Sequence, residues 1–600
     1  MLQNVVFDGN TATYGGAVIS SDNLTIGGNS SFTGNKAEAG GALFAEGKLT
    51  LDTSEGNILF SGNTATNINE GGADVYLNNK ETAVVIEGDA NTLSMDGGFA
   101  GVGSIDKNGA NTLIFDQNAD NRLFVGDFTQ TAGTTLVYAD NFFGGKNTVA
   151  EGSVLHFAGN AAVNNLRLQT GGRLDLRRPG PFAANTVTIT DLISDGSAVV
   201  VLQTDGTDAD LLKITGSADG MITIDVRAAG SNPTKKEIEV VNTEEASGNA
   251  EFKLAGGKVD IGAHEYGLTH GEDANWYLET EGELTKTAKS VETMPALHLS
   301  IVNAGMNELR KRLGDLRSGN PDAPAGVWVR GYGKRLRVHE RTGARLNMLG
   351  MEGGIDAAAE LFGGRTYLGV MGGYLSANDI RVFQSGAPDA KGHTKTPVAG
   401  LYATWLPHNS PWFVDLTARH FWVHTDLDNL SGGNRTNGYD IKRGFWAFTA
   451  ETGRLFDFDA PRVLNAGSSL ITFEPKIELR YVHGEAKDFT TDNGEIGSID
   501  STSSLVSRFN LQTSYLPEGR ASNWKLFLEL GLYNEWIGRT KVKFADTRLT
   551  TSDLSGLGFE ASLGFNAAVA ENAYCYGAVT LEAGEAYTSY QLNAGLRVSF

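Results

Sequence analysis

Cysteine is almost absent: Cys575 is the only one in 600 residues. A single thiol excludes a disulfide framework and any cysteine-rich metal site. Proline is scarce, at 13, and no apolar run approaches the roughly 18 residues of a membrane-spanning helix. Helical membrane proteins are excluded. Positive charge is short in one half only. Residues 1–325 carry 22 Lys and Arg against 42 Asp and Glu, whereas 326–600 carry 27 against 29. An acidic first half repels nucleic acid and anionic lipid. What is abundant is glycine, 76 residues without a collagen period, which points to many tight turns. With 40% hydrophobic and 20% charged residues, the chain is no disordered acidic tail. Seven of the eight tryptophans lie beyond residue 325, so the halves are built for different solvents.

In the last segment Tyr590, Leu592, Ala594, Leu596, Val598 and Phe600 alternate with Gln591, Asn593, Gly595, Arg597 and Ser599, a strict period of two. Segments 471–481 and 557–565 repeat the pattern. Trp524, Leu526, Leu528, Leu530, Leu532 and Trp536 share a face opposite Lys525, Glu529 and Glu535. About twelve residues at ~3.3 Å each, tilted about 40°, rise roughly 30 Å between Trp524 and Trp536. That spacing predicts an aromatic belt at each edge of a bilayer's apolar layer. In lipid every backbone polar group needs a partner, so such strands must close. Soluble sandwich strands average about five or six residues, and these are about twice as long. Twelve alternating segments between 326 and 600 predict a 12-stranded antiparallel transmembrane β-barrel, with polar links 427–440 and 487–502 as long loops on one side.

The first half repeats itself. Phe7-Asp8-Gly9-Asn10 precedes Gly15-Gly16-Ala17-Val18; Phe32 to Asn35 precedes Gly40-Gly41-Ala42-Leu43; Phe60 to Asn63 precedes Gly71-Gly72-Ala73-Asp74. Spacings of 25 and 28 residues suit single-coil repeats of a β-solenoid. Phe would pack inside the coil, Asn would ladder its amide between coils, and the glycine pairs would permit a tight corner. Beyond residue 100 short strands separated by Gly-rich turns continue as in a right-handed parallel β-helix, eight or nine coils in all. Residues 205–285 read as a β module closing the stack, and Pro295 to Arg317 as a helix. No distinct cap or secretory leader precedes Phe7, so the expectation is that the sequence begins inside a longer protein.

Solenoid, closing module, single helix and a barrel ending on an aromatic residue, in that order, resemble the autotransporters (type V secretion) of Gram-negative bacteria along the whole chain. The Phe-x-x-Asn and Gly-Gly-Ala repeats are similar to those of chlamydial-type polymorphic membrane proteins. Asp208 to Gly216 with Asn275-Trp276-Tyr277-Leu278 resembles the pertactin-like autochaperone module. The resemblance implies an all-β chain divided as passenger 1–204, autochaperone-like module 205–285, linker with lumenal helix 286–325 and translocator barrel 326–600. It implies that the barrel sits in the outer membrane and exports the passenger to the cell surface, C-terminus first, for adhesion or another surface interaction. Tyr590 to Phe600 would be the signal read by the barrel-assembly machinery. Outer-membrane lipid, that machinery, periplasmic chaperones and a surface ligand are the implied partners; no cofactor or metal is implied. Leu309 to Arg317 resembles the helix end of members that cut themselves between two asparagines. Here the pair is Asn307-Glu308, so the uncut helix is the better-supported expectation.

β-Helices also host carbohydrate-active enzymes, which require paired carboxylates on one strand face. Asp205, Asp208 and Asp210 form the best acidic group, but their neighbours fit the closing module. A serine hydrolase would need a nucleophile elbow with a histidine. Asp195-Gly-Ser-Ala198 lacks that setting, and His156, His264 and His270 read as loop residues. Cys575 reads as a packed small side chain of the barrel. A displayed binding passenger is expected, with a carbohydrate-active β-helix enzyme on the same barrel as the alternative.

Overall fold

The computed structural model describes residues 1–600 except 68, 70, 230–234, 244–245, 307–322, 340–341, 384–388, 430–436, 460–468, 546 and 550–552. It divides into two compact units, Met1–Glu283 and Leu284–Phe600. Among the described residues no helix is long and apolar enough to cross a membrane, which leaves crossing by strands untouched.

The first unit is a parallel β-helix. One sheet stacks eleven parallel strands, from Val6–Asp8 through Ser30–Thr33 and Ile58–Ser61 to Met221–Ala228 and Glu251–Leu254. A second parallel sheet runs beside it, from Leu24–Gly27 to Leu211–Asp219. In the early coils Lys36–Ala37 and Thr64–Ala65 add a third, short face. Alternate residues of both large sheets point inward, and Ile26, Leu51, Ile86, Leu113, Leu155, Leu174, Ile189 and Ile224 form one continuous, fully covered core. A coil cannot bury its inward face alone, so each rung draws stability from its neighbours.

Two differences from the sequence reading stand out. The stack holds nine rungs through Ala198–Thr204, within the expected eight or nine, but parallel pairing runs on past residue 205 through Met221–Ala228 to Glu251–Leu254, eleven rungs in all. Only from Glu237 does the pattern change. Glu237–Asn242 pairs antiparallel with Trp276–Glu279, which pairs antiparallel with His264–His270, itself paired with Val259–Ile261. Antiparallel hairpins abandon the rung register and cover the end of the stack.

The second unit opens with helix α1 (Lys286–Gly305), whose Thr285 N-cap accepts a hydrogen bond from the Ala288 amide at 3.0 Å. The helix begins nine residues before the predicted start, with Pro295 inside it. Residues 286–294 lack an apolar stripe, so their periodicity was silent; their polar side chains are satisfied by surrounding walls instead. The predicted helical residues Leu309, Leu313 and Leu316 lie outside the described residues. Twelve antiparallel strands follow: β1 (Ala325–Val338), β2 (Gly343–Leu361), β3 (Gly364–Phe383), β4 (Ala390–Pro407), β5 (Trp412–Asn429), β6 (Tyr439–Arg454), β7 (Leu470–Gly484), β8 (Thr502–Leu516), β9 (Trp524–Glu535), β10 (Gly556–Ala570), β11 (Ala573–Gly584) and β12 (Tyr587–Ser599). β1 pairs with β12 from Gly326↔Ser599 to Val338↔Tyr587, so the sheet closes on itself. Closure removes both edges.

Both barrel termini lie at one end, which also holds the tight turns 362–363 and 571–572; we call it the turn end. At the opposite, loop end the links 485–501 and 536–555 fold together. Lys487–Thr490, Ile496–Ile499, Val542–Phe544 and Thr547–Leu549 make a four-stranded antiparallel sheet there.

Candidate functional site: the helix-filled barrel lumen

The strand alternation sorts side chains to two solvents. Along β9, Trp524, Leu526, Leu528, Leu530 and Leu532 face outward and remain exposed, while Lys525, Phe527, Glu529, Tyr533 and Glu535 are buried. On β12 the outward residues are Tyr590, Leu592, Ala594 and Leu596, with Phe600 exposed just beyond the strand, while Gln591, Asn593 and Arg597 point inward. Trp412 and Trp524 are exposed at the turn end; Trp422, Trp446 and Trp536 are exposed toward the loop end. An apolar outer band edged by aromatics, around a polar interior, is the surface of a transmembrane barrel.

Helix α1 occupies that interior. Near its start, Asn437 Nδ2 donates to Thr287 Oγ1 at 3.4 Å and the Ser290 and Tyr439 hydroxyls lie 2.9 Å apart. Thr342 Oγ1 donates to Glu292 at 3.1 Å, and Thr293 donates to the Thr342 carbonyl at 3.1 Å. These partners stand at or just beyond the loop ends of the strands. Farther along, His298 Nε2 lies 3.0 Å from Thr425 Oγ1. At the last turn Arg480 reaches the Asn303 side-chain oxygen at 3.5 Å, and Arg419 Nη1 donates to the Gly305 carbonyl at 2.7 Å. The chain therefore enters at the loop end and runs down to about mid-wall. A cation at a helix C-terminus meets both the unpaired carbonyl and the negative end of the macrodipole.

The wall around it carries several buried ionic clusters. Glu352 holds Arg330 at 2.6 Å and Arg419 at 3.5 Å, and accepts from the Tyr332 hydroxyl at 3.3 Å. Arg508 pairs with Glu560 and with Glu582 at 3.1 Å, and Glu582 also holds Lys334 at 2.6 Å. Arg597 forks onto Asp356 at 2.6 and 2.7 Å, and Asp356 accepts from Tyr402, which accepts from the Trp328 indole at 2.8 Å. Charges this deep are tolerated because each is paired and hydrogen-bonded. Sequence reasoning missed these clusters. Their members recur at alternate strand positions, but nothing in one strand says which charge on another it meets.

The repeat residues of the first unit come together as stacks. Phe7, Phe32 and Phe60 are register partners whose rings stack at 5.2 and 4.8 Å. Asn10 donates to Asn35 at 2.9 Å, Asn35 to Asn63 at 3.0 Å, and Asn63 to Asp74 Oδ1 at 2.9 Å. The ladder thus ends on the Asp74 carboxyl, which also accepts from the Gly97 and Gly98 amides. Burial pushes the Asp74 carboxyl up to about 7. Gly15, Gly40, Gly71 and Gly72 have positive φ, and a Cβ on Gly16 or Gly41 would sit 2.2 or 2.3 Å from a carbonyl of the next coil. Only glycine fits.

The acidic group near 205 does not converge. Asp205 accepts from the Thr207 and Asp208 amides of its own turn, and Asp208 points to Lys235 at 3.4 Å. Asp210 is buried, accepting from the Asn185 and Gln203 amides, and burial raises it to about 6. Among the remaining residues, Asp195 pairs with Arg167 at 2.8 Å, and His156 lies 2.6 Å from the Arg177 carbonyl. Asn307 and Glu308 lie outside the described residues. Cys575 is half-buried in β11.

The barrel geometry has its counterpart in known families. Residues 327–580 match the autotransporter β-domain model. The chain carries an autotransporter β-domain. Upstream, 163–280 match the pertactin model, and 4–22 and 29–46 match the Chlamydia polymorphic membrane protein repeat. It is 27% identical to autotransporter CRAC of Citrobacter rodentium over 78% of this chain and 30% of that one. It is 24% identical to the autotransporter adhesin/invasin TibA of Escherichia coli O78:H11 over 92% of this chain and 63% of that one. A further relative, 24% identical over 67% of this chain and 29% of its own, is named serine protease EspC, from Escherichia coli O127:H6. The chain thus spans about a third to two thirds of the curated relatives it matches. Among solved structures, the transport unit of AIDA-I from Escherichia coli aligns with 51% of this chain and 98% of its own, at 15% identity and TM-score 0.41. The barrel is an outer-membrane translocator, and the chain's relatives include an adhesin/invasin and pertactins.

Proposed function

We propose that this chain exports its own β-helical first unit through the outer membrane and displays it for surface adhesion rather than catalysis. The observation that carries the reading is helix α1, seated in the lumen with its N-terminus at the loop end. The chain that precedes the helix therefore leaves the barrel at its loop end. Folding by successive addition of rungs needs no nucleotide, because each coil buries its face on the one before. The antiparallel hairpins at 237–279 would fold first and template the stack. Outer-membrane lipid, the barrel-assembly machinery reading Tyr590 to Phe600, and periplasmic chaperones are the partners this route requires. The diverging carboxylates at 205–210 favour a binding passenger over an enzyme.

Expression with a supplied signal peptide, protease shaving of intact cells and a blot of the outer membrane test the reading. Loss of the first unit with survival of a fragment near 300–600 is the expected result. A chain that fractionates as soluble protein would refute it. An uncut full-length band before protease is expected; a membrane fragment beginning at Glu308 would instead show cleavage after Asn307.

A further inference from the structure

The outer rim of the barrel carries a feature that export does not use. At the loop ends of the first four strands, outward side chains form a row of cations. Arg337 of β1 stands opposite Arg345 of β2, Arg345 opposite Arg381 of β3, and Arg381 opposite Lys391 of β4. All four are exposed. Arg335 and Lys395, exposed on the same strands, lie nearer the apolar band. Arg381 is paired with Asp379 at 2.8 Å, and Arg345 lies over the Phe383 ring at 5.0 Å. The row ends opposite Thr588 on β12 and Asp428 on β5. Among the described residues, Arg335, Arg337, Arg345, Lys391 and Lys395 make no ion pair.

Like charges directly opposite on adjacent strands destabilise a sheet, and here one follows another across three strand boundaries. Neutral side chains would serve an inert rim better. Below the row, past Arg335 and Lys395, the wall turns apolar, with Leu349, Met351, Tyr374, Tyr590 and Leu592 exposed. The cations therefore sit at the membrane–water boundary of the loop-side leaflet, at the depth of lipid headgroups. Arginine forks onto phosphate oxygens bidentately, and a row about 14 Å long, three strand spacings, suits more than one phosphate. We propose that Arg337, Arg345, Arg381 and Lys391, with Arg335 and Lys395, bind the phosphates of a phosphorylated glycolipid in the outer leaflet. The leaflet assignment rests on the export orientation proposed above; the phosphate site does not.

The full chain, purified in a neutral detergent, is titrated with bisphosphorylated lipid A and with the same lipid dephosphorylated, and bound lipid is counted by native mass spectrometry. The phosphorylated form is expected to bind at least tenfold more tightly, with affinity falling as salt rises. Replacing all four row residues by Gln should abolish that preference, while the three Arg→Lys changes together keep it within about threefold. Folding of each variant is read from the heat-dependent gel mobility of the closed barrel. Should the fourfold variant fail to fold, R337Q/K391Q, which spares the central pair, should lower the preference at least threefold. Equal binding of the two lipids, or a folded variant with undiminished preference, would overturn the proposal. So would inorganic phosphate competing as well as the lipid. Phosphate discrimination together with failed shaving would keep the cation site and reject the outer leaflet.

Discussion

Asp74 sits where the third glycine pair hands the amide ladder to the next coil, and its placement has a pH signature. Its carboxyl titrates near 7 in the fold, whereas a free aspartate titrates near 4. Between those values the folded chain keeps a proton that the unfolded chain has released. Asp74 therefore destabilises the fold progressively as pH rises from about 4 to 7, on the order of 4 kcal/mol in full. Asp210, raised to about 6, adds the same sign over a narrower window. Asp74→Asn removes the ionisation but sets an amide donor against the Asn63 amide. At pH 4 the variant should be less stable than the parent by about 1–3 kcal/mol, and the difference should shrink or reverse by pH 8. Urea unfolding followed by limited proteolysis at both pH values measures it; a gap independent of pH would count against a buried, protonated Asp74. In the same ladder Asn35→Leu strands the donors and acceptors of two neighbours and should cost about 1–3 kcal/mol, read by the same assay.

At the scale of elements, the Phe stack and helix α1 behave differently. Phe32 is fully covered between Phe7 and Phe60, so Phe32→Ala should cost about 3–5 kcal/mol. In a stack of nearest neighbours that loss stays local. Proteolysis should nick the first coils while rungs beyond residue 100 remain protected. The helix is held by polar contacts along its length, and its last carbonyl by Arg419. Deleting 286–322 from the chain should leave a closed barrel and raise its ion conductance in planar bilayers well above that of the intact chain. Equal conductance would mean that the helix does not obstruct the lumen. Arg419→Ala leaves Glu352 with Arg330 and the Tyr332 hydroxyl and frees the helix end, so intermittent openings are expected where the parent stays shut.

For the whole molecule, the deciding event is closure of β1 on β12. Thirteen register pairs join them, and the last strand also supplies Arg597 to Asp356 of β2, over the intervening β1. Phe600→Ser should lower the yield of heat-modifiable barrel in the outer membrane severalfold if the exposed terminal aromatic is the assembly signal; unchanged yield would place that signal elsewhere. The basic rim is a property of this scale too, because its four residues come from four strands.

What the sequence alone determined is whatever repeats along one strand or one coil. Alternation at 524–536 and 590–600 sorted lipid-facing from inward residues, and the fixed spacing of Phe, Asn and Gly placed identical residues on successive rungs. Both are local: a strand's period is two whatever its partner, and a solenoid repeat stacks on its own copy. Tertiary structure decided the rest. Trp328 follows the alternation inward between Val327 and Val329, but the partner it meets there, Tyr402 of β4, is set only by the barrel. The Arg330–Glu352–Arg419 network, the polar first half of α1 and the Arg337–Arg345–Arg381–Lys391 row have no spacing in the chain that announces them. Their members meet only because closure of twelve strands sets every register at once, and burial and cross-strand proximity follow from that register.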